Sequence, residues 1–159
     1  MTFQALYDAS TVKRWHTCLT IKEQDLAAHQ WGVAMVIREI APGHLHMLEY
    51  ALTHDLGESV SGDTPYLGKS KYPAIKDAID LAEFEFAMER KLPMFETFNT
   101  LEKQILRWAD MFEAYLFALR EVAMGNQHMQ SVVDNALRAL SRIGHPNERA
   151  IQLLKETHV

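Results

Sequence analysis

The sequence predicts an all-α fold, a single compact helical bundle spanning residues 1–159. Three observations carry this. Apolar residues recur at three- and four-residue intervals over long windows, and nowhere do apolar and polar residues alternate as a half-buried strand requires. Proline and glycine gather in a few short stretches between the periodic ones.

The first long helix is expected at 21–40, where Leu26, His29, Val33, Ile37 and Ile40 share a stripe. Ala41-Pro42-Gly43 stops it, because proline cannot continue the backbone ladder and glycine suits a C-terminal cap. A second helix is expected at 44–58, with Leu48, Ala51, Leu52, Asp55 and Leu56 on its apolar side. Residues 59–73, SVSGDTPYLGKSKYP, read as a loop. A third helix follows at 74–92, with Ile75, Ala78, Ile79, Ala82 and Phe86 as its core face and Glu83, Glu85 and Glu89 on a solvated face. The clearest helix lies at 100–126, started near Thr100 and Lys103 and ended by Gly125-Asn126. Two shorter helices are expected at 129–141 and 147–156.

Composition bounds the function. With 159 residues, 48% hydrophobic and 23% charged, the chain is long enough to bury a substantial core. A net charge of −5 offers no basic face for a nucleic-acid polymer, and phosphorylated ligands would need a local cation or a metal. The single Cys18 excludes an internal disulfide and fits a reducing compartment. The N-terminal MTFQALYDAS lacks the apolar run of a signal peptide, and no apolar stretch reaches membrane-spanning length, so a cytoplasmic location is expected.

The chemistry lies where ionisable groups interrupt apolar stripes. His29 stands where the first helix should bury a leucine. His54 and Asp55 occupy the inward side of the second helix, with Glu58 one turn beyond. Asp110 shares a face with Leu106 and Phe117. A buried carboxylate without a partner costs several kcal/mol. Two imidazoles and two carboxylates converging on one divalent cation would explain all four at once. Mixed N/O ligation suits Zn, Mn, Fe, Co or Ni without selecting one. Taken singly, each has a plainer reading: His29 a hydrogen-bonded core histidine, Asp110 an N-cap or a partner of Arg107.

The order His29, His54-Asp55, Asp110 resembles the signature of HD-domain metal-dependent phosphohydrolases. KRWHT (13–17), HDLGESVSGDTP (54–65) and WADMFEAYLFALREVAMGN (108–126) are similar to the 5′-deoxynucleotidase branch of that family, which includes short phage hydrolases of deoxynucleoside triphosphates. The resemblance covers about 12–126. It implies that His29, His54, Asp55 and Asp110 hold the metal, a divalent ion such as Zn, Co, Mn or Mg. It implies that Glu58 and Asp63 are catalytic acidic residues and that Arg14, Trp15 and Lys69 bind substrate, Trp15 against the sugar. The implied reaction is attack of a metal-held hydroxide on the α-phosphorus of a deoxynucleotide. The preferred substrate is a dNTP such as dATP, releasing triphosphate; a deoxynucleoside 5′-monophosphate is the alternative. A helical domain without turnover, binding nucleotide or merely structural, is the reading from other classes.

Two departures from the branch stand out. Ala28 replaces a glutamate often found before the first histidine, which removes expected support for that ligand. YLGKSKY replaces a more proline-rich loop, leaving Lys71 as a rival to Lys69. A C-terminus shorter than that of the bacterial monophosphatases favours the phage-type reading. The aromatics of FETFNTLEK (95–103), together with the family habit, lead us to expect a homo-oligomer, a dimer or a larger ring. His16, His44, His46, His128, His145 and His158 are assigned no ligand role, and Cys18 no nucleophilic one.

Overall fold

The computed structural model describes residues 3–157, so His158 and the extreme ends of the expected domain lie outside it. Within that span the chain is helical, without a β-strand; Lys13 and Asp25 form one isolated antiparallel bridge. Nine helices follow in order: α1 (Phe3–Ala9), α2 (Leu26–Ile40), α3 (Leu45–Ala51), α4 (Glu58–Ser61), α5 (Tyr66–Lys71), α6 (Pro73–Arg90), α7 (Thr100–Ala123), α8 (Gln130–Ile143) and α9 (Glu148–Glu156).

Helix α2 begins at Leu26 rather than near residue 21, because the Asp25 carboxylate accepts the Ala28 amide and caps it there. Its stripe of Leu26, His29, Val33, Ile37 and Ile40 is buried as expected. Helix α7 starts at Thr100 as expected, with Asn99 as its cap. Asn99 accepts from the Glu102 amide, and Glu102 accepts from the Asn99 amide, a reciprocal capping box. Trp108, Ala109, Phe112, Tyr115 and Ala118 carry α7 through the main core, where α2 and α8 pack on it.

The expected 44–58 helix is broken. α3 ends at Ala51 and the chain tightens into i→i+3 turns, with Thr53 N on Tyr50 O, Leu56 N on Thr53 O and Glu58 N on Asp55 O. The Thr53 hydroxyl bonds back to Glu49 O at 2.8 Å, a side-chain competitor of the ladder. Leu52, expected inside, is exposed.

The 59–73 segment is not a plain loop, since α5 forms within it. The expected core face of α6 is corrected too. Ile75 and Ala78 are exposed and only Phe86 is fully buried, because α6 rests mainly on the short α4 and α5. Gly57 permits that approach: a Cβ there would lie 2.9 Å from Glu83 Cβ. The aromatics of 95–103 point inward rather than out. Phe98 is buried against His46 and Tyr50, and Arg107 covers the Phe95 ring at 4.8 Å.

Candidate metal centre and its surroundings

Consecutive residues of a regular helix do not face the same way. The tight turns after α3 remove that restriction. His54 Nε2 and Asp55 Oδ2 lie 3.3 Å apart, and the same Asp55 oxygen lies 3.6 Å from His29 Nε2 on α2. Asp110 on α7 brings Oδ1 to 3.2 Å from His29 Nε2. His29, His54 and Asp110 each present a ligand atom within 4.8 Å of the others. All four residues singled out from the sequence therefore meet in one place.

The donor set fits a divalent cation. His29 donates from Nδ1 to Glu113 Oε2 at 2.5 Å, and His54 donates from Nδ1 to Ala51 O at 2.9 Å. In its neutral, metal-binding form each ring thus carries its proton on Nδ1 and turns the Nε2 lone pair inward. Both Nε2 atoms are buried and lack a hydrogen-bond partner. Outer partners that fix the tautomer in this way are a hallmark of histidine–metal sites. His29 is fully buried, whereas the Asp110 side chain keeps 47% of its exposure, so the centre is open on the Asp110 side. A cavity of about 60 Å³ lined by Tyr50, His54, Phe95, Arg107 and Asp110 adjoins it and has room for water.

Charges in the cluster are strongly perturbed. Burial pulls the His29 imidazole down, but the adjacent Asp110 and Glu113 carboxylates outweigh that, and the ring is pushed up to about 9. Asp110 is opposed by burial yet held below the usual carboxylate range by His29, His54 and Arg14. Glu58, 6% exposed, is pushed up to about 8, first by burial and then by the Asp55 charge. Its Oε2 has no partner.

These shifts fix a pH dependence. His29 titrates near 9 in the fold against 6.5 unfolded, so its stabilisation is complete below 6.5 and lost as pH rises through 9. Glu58 titrates near 8 against 4.5 and acts in the same direction, its contribution lost as pH rises through 8. In EDTA, unfolding by urea should show a loss on the order of 2–3 kcal/mol between pH 6 and pH 9. Saturating Zn²⁺ should flatten that slope, since a cation replaces the protons. A flat profile in EDTA would contradict the electrostatics described here.

The remaining candidates surround the centre. Arg14 Nη1 donates to Asp55 Oδ2 at 3.0 Å, while its buried Nε lacks a partner. Trp15 stacks on Phe117, 5.4 Å between centroids and 8° between planes, and its backbone is left-handed at φ 60. That conformation costs a non-glycine residue about 1–3 kcal/mol. The Trp15 amide donates to Asp63 Oδ2 at 3.2 Å, so Asp63 clamps this turn. Lys69 sits 3.6 Å from Glu83 and bears on the Glu58 charge, whereas the rival Lys71 is exposed. Glu83 is therefore paired, not on a purely solvated face; it also accepts from Ser61 at 3.2 Å.

Sequence reading missed three buried groups. Glu113 holds His29 in place of the glutamate absent at Ala28. Gln24 bridges Trp15 and Glu113. Glu121, fully buried, accepts the Ile21 and Lys22 amides at 2.6 and 2.8 Å and the Asn126 side chain at 2.8 Å. A signal existed: Asp110, Glu113, Phe117 and Glu121 recur at three- and four-residue steps along one stripe of α7. That stripe supports both the centre and the 14–24 segment. Glu121→Ala would strand three donors, and a loss of about 3 kcal/mol in urea unfolding is expected.

A second group, His44, His46 and Glu102, also comes close together. It is exposed and already satisfied: Glu102 takes His46 Nε2 on one oxygen and the Asn99 amide on the other.

An all-helical domain that gathers His29, His54-Asp55 and Asp110 between α2, the turn after α3 and α7 has the architecture of an HD domain. The match to the family model described as 5′-deoxynucleotidase YfbR-like runs over residues 2–154, and the chain belongs to that family of hydrolases. A 5′-deoxynucleotidase of Pasteurella multocida is 28% identical over 171 aligned residues, covering 92% of this chain and 86% of the relative. A dATP triphosphohydrolase of cyanophage S-2L is 29% identical over 116 residues, covering 69% and 65%. Among solved structures, the cyanophage S-2L HD phosphohydrolase bound to dA and one catalytic Zn²⁺ superposes with a TM-score of 0.77 at 22% identity, over 99% of this chain and 97% of that one. An HD-domain phosphohydrolase of Listeria innocua gives 0.74 at 22% identity, over 97% and 84%. Among the described residues, no helix is long and apolar enough to cross a membrane.

Proposed function

We propose that this chain is a divalent-metal-dependent phosphohydrolase of deoxynucleotides, and that a dNTP is its substrate, cut at the α-phosphorus into deoxynucleoside and triphosphate. The observation carrying this is the pair of buried, unpartnered Nε2 atoms of His29 and His54 facing Asp55 and Asp110, with the Glu58 carboxyl, one oxygen unpartnered, among the charges that surround them. His29, His54, Asp55 and Asp110 would hold the cation. When bound, it supplies an acidified water and offsets phosphoryl charge. Glu58 orients the attacking water and takes its proton. Arg14 and Lys69 offset negative charge on the phosphoryl oxygens. Trp15, fixed by Phe117 and by Asp63, packs against the sugar; Asp63 acts through that turn.

The cyanophage dATP triphosphohydrolase, 29% identical over 69% of this chain, favours the triphosphate reading. The second reading, hydrolysis of a deoxynucleoside 5′-monophosphate, is favoured by the family and by the Pasteurella relative. Both cut the bond between the α-phosphorus and the 5′-oxygen. The buried, upshifted Glu58 argues against a binding protein without turnover, because a burial cost is retained without benefit there. Self-association is proposed through the exposed apolar residues of α6, Leu81, Phe84 and Met88, in place of the inward-turned aromatics of 95–103.

The test is a panel of dNMPs and dNTPs incubated with metal-loaded protein, products identified by mass. Triphosphate from a dNTP supports the first reading and phosphate from a dNMP the second. Neither product with Zn²⁺, Co²⁺, Mn²⁺ or Mg²⁺ rejects both.

A further inference from the structure

Three hydrogen bonds, one half-buried and two buried, form a continuous chain across the site. The Trp15 indole donates from Nε1 to Gln24 Oε1 at 2.7 Å. Gln24 donates from Nε2 to Glu113 Oε1 at 2.7 Å. Glu113 Oε2 accepts from His29 Nδ1 at 2.5 Å. Gln24 is 5% exposed, Glu113 8% and His29 not at all.

The direction of every link is forced. An indole nitrogen only donates and an ionised carboxylate only accepts, so the Gln24 amide has a single orientation that satisfies both neighbours. The carboxylate at the other end requires the His29 proton on Nδ1, which aims the Nε2 lone pair at the cluster. Room for this arrangement comes from Gly32: a Cβ there would lie 2.6 Å from Glu113 Cγ.

We propose that Gln24 and Glu113 are positioning residues that join the seat of the Trp15 ring to the tautomer and aim of His29. One buried relay then sets the sugar side and the metal side of the site together. The proposal rests on the reading that His29 holds a cation and Trp15 faces the sugar, and it adds that the two are coupled. Glu113→Gln exposes the logic. One end of its amide is a donor, which must face either the Gln24 amide group or the His29 Nδ1–H. In the first case Gln24 turns over and the indole loses its acceptor. In the second the histidine moves its proton to Nε2 and can no longer bind metal. Gly32→Ala displaces Glu113 by sterics alone and serves as an independent route to the same loss.

Two measurements test this without relying on turnover. In ¹H–¹⁵N spectra of the full chain, with the Trp15 indole signal assigned through Trp15→Phe, Zn²⁺ should shift that signal in the unmodified protein. The response should vanish in Gln24→Leu, which keeps the Glu113–His29 bond. Cobalt(II) titration followed by visible absorption should show affinity lowered about 10- to 100-fold in Glu113→Gln and in Gly32→Ala. Gln24→Leu should stay within about threefold of the unmodified protein, because the bond next to the metal ligand is kept. An indole signal indifferent to Zn²⁺ in a protein that binds Zn²⁺ overturns the relay alone, and it requires no variant to fold. Unchanged Co²⁺ affinity in a folded Glu113→Gln protein does the same. Failure of the unmodified protein to bind either ion overturns the metal reading itself.

Discussion

Glu58→Gln is expected to cut turnover by about 10²- to 10⁴-fold while leaving metal content intact. Glu58 sits at the start of α4, one turn past the His54-Asp55 pair, and its carboxyl is buried with one oxygen unpartnered. Glutamine preserves its shape and removes only the ability to take a proton. The free carboxyl is pushed up to about 8, so glutamine also removes a group that resists ionisation; stability of the variant in EDTA should rise above pH 8 relative to the unmodified chain. The effect should fall on kcat rather than on KM, since the group acts on water and not on the nucleotide. Equal turnover in the variant would assign the proton transfer elsewhere. The comparison of steady-state rates with metal content in one preparation decides it.

His54→Ala or Asp110→Ala should abolish stoichiometric metal binding and lower activity by at least about a thousandfold, the scale of a lost electrostatic stabiliser at a transition state. His54 keeps 10% of its side-chain exposure and stacks on Tyr50, so its removal opens the centre without emptying the core. Asp110 is already half exposed, and folding of its variant is expected to survive. The two differ in electrostatics. Without Asp110, His29 loses the carboxylate that most strongly raises it, and the pH-dependent loss of stability in EDTA should be smaller and be complete at lower pH. Without His54 that carboxylate remains.

Much of the site was legible because buried charge is conspicuous in an apolar stripe. His29 and Asp110 stood out on helices that the structure retains almost as expected. His54 and Asp55 stood out too, but for a reason the periodicity misrepresents. They were placed on one helix face, where adjacent residues cannot converge; the turns after Ala51 bring them together. The relay was hidden for a different reason. Gln24 falls in the expected first turn of the 21–40 helix, but α2 begins only at Leu26 and leaves it in an irregular segment where helical periodicity does not apply. Glu113 reads as one more acid on a long helix until the Ala28 departure is joined to its distance from His29. The α6 face was misjudged because amphipathicity shows that a helix needs a partner without showing which: Ile75 and Ala78 are exposed in this chain. The aromatics of 95–103 fail in the opposite sense, since local sequence carries no sign of the Tyr50 and His46 rings that receive Phe98.

The central claim is that His29, His54, Asp55 and Asp110 together hold one divalent cation. Elemental analysis after reloading and desalting tests it most directly, comparing the unmodified chain with the double variant His54→Ala/Asp110→Ala. The account predicts one equivalent of ion per chain in the first and almost none in the second, with matching circular dichroism. An unmodified chain without stoichiometric metal, or a folded double variant that keeps it, would contradict the account.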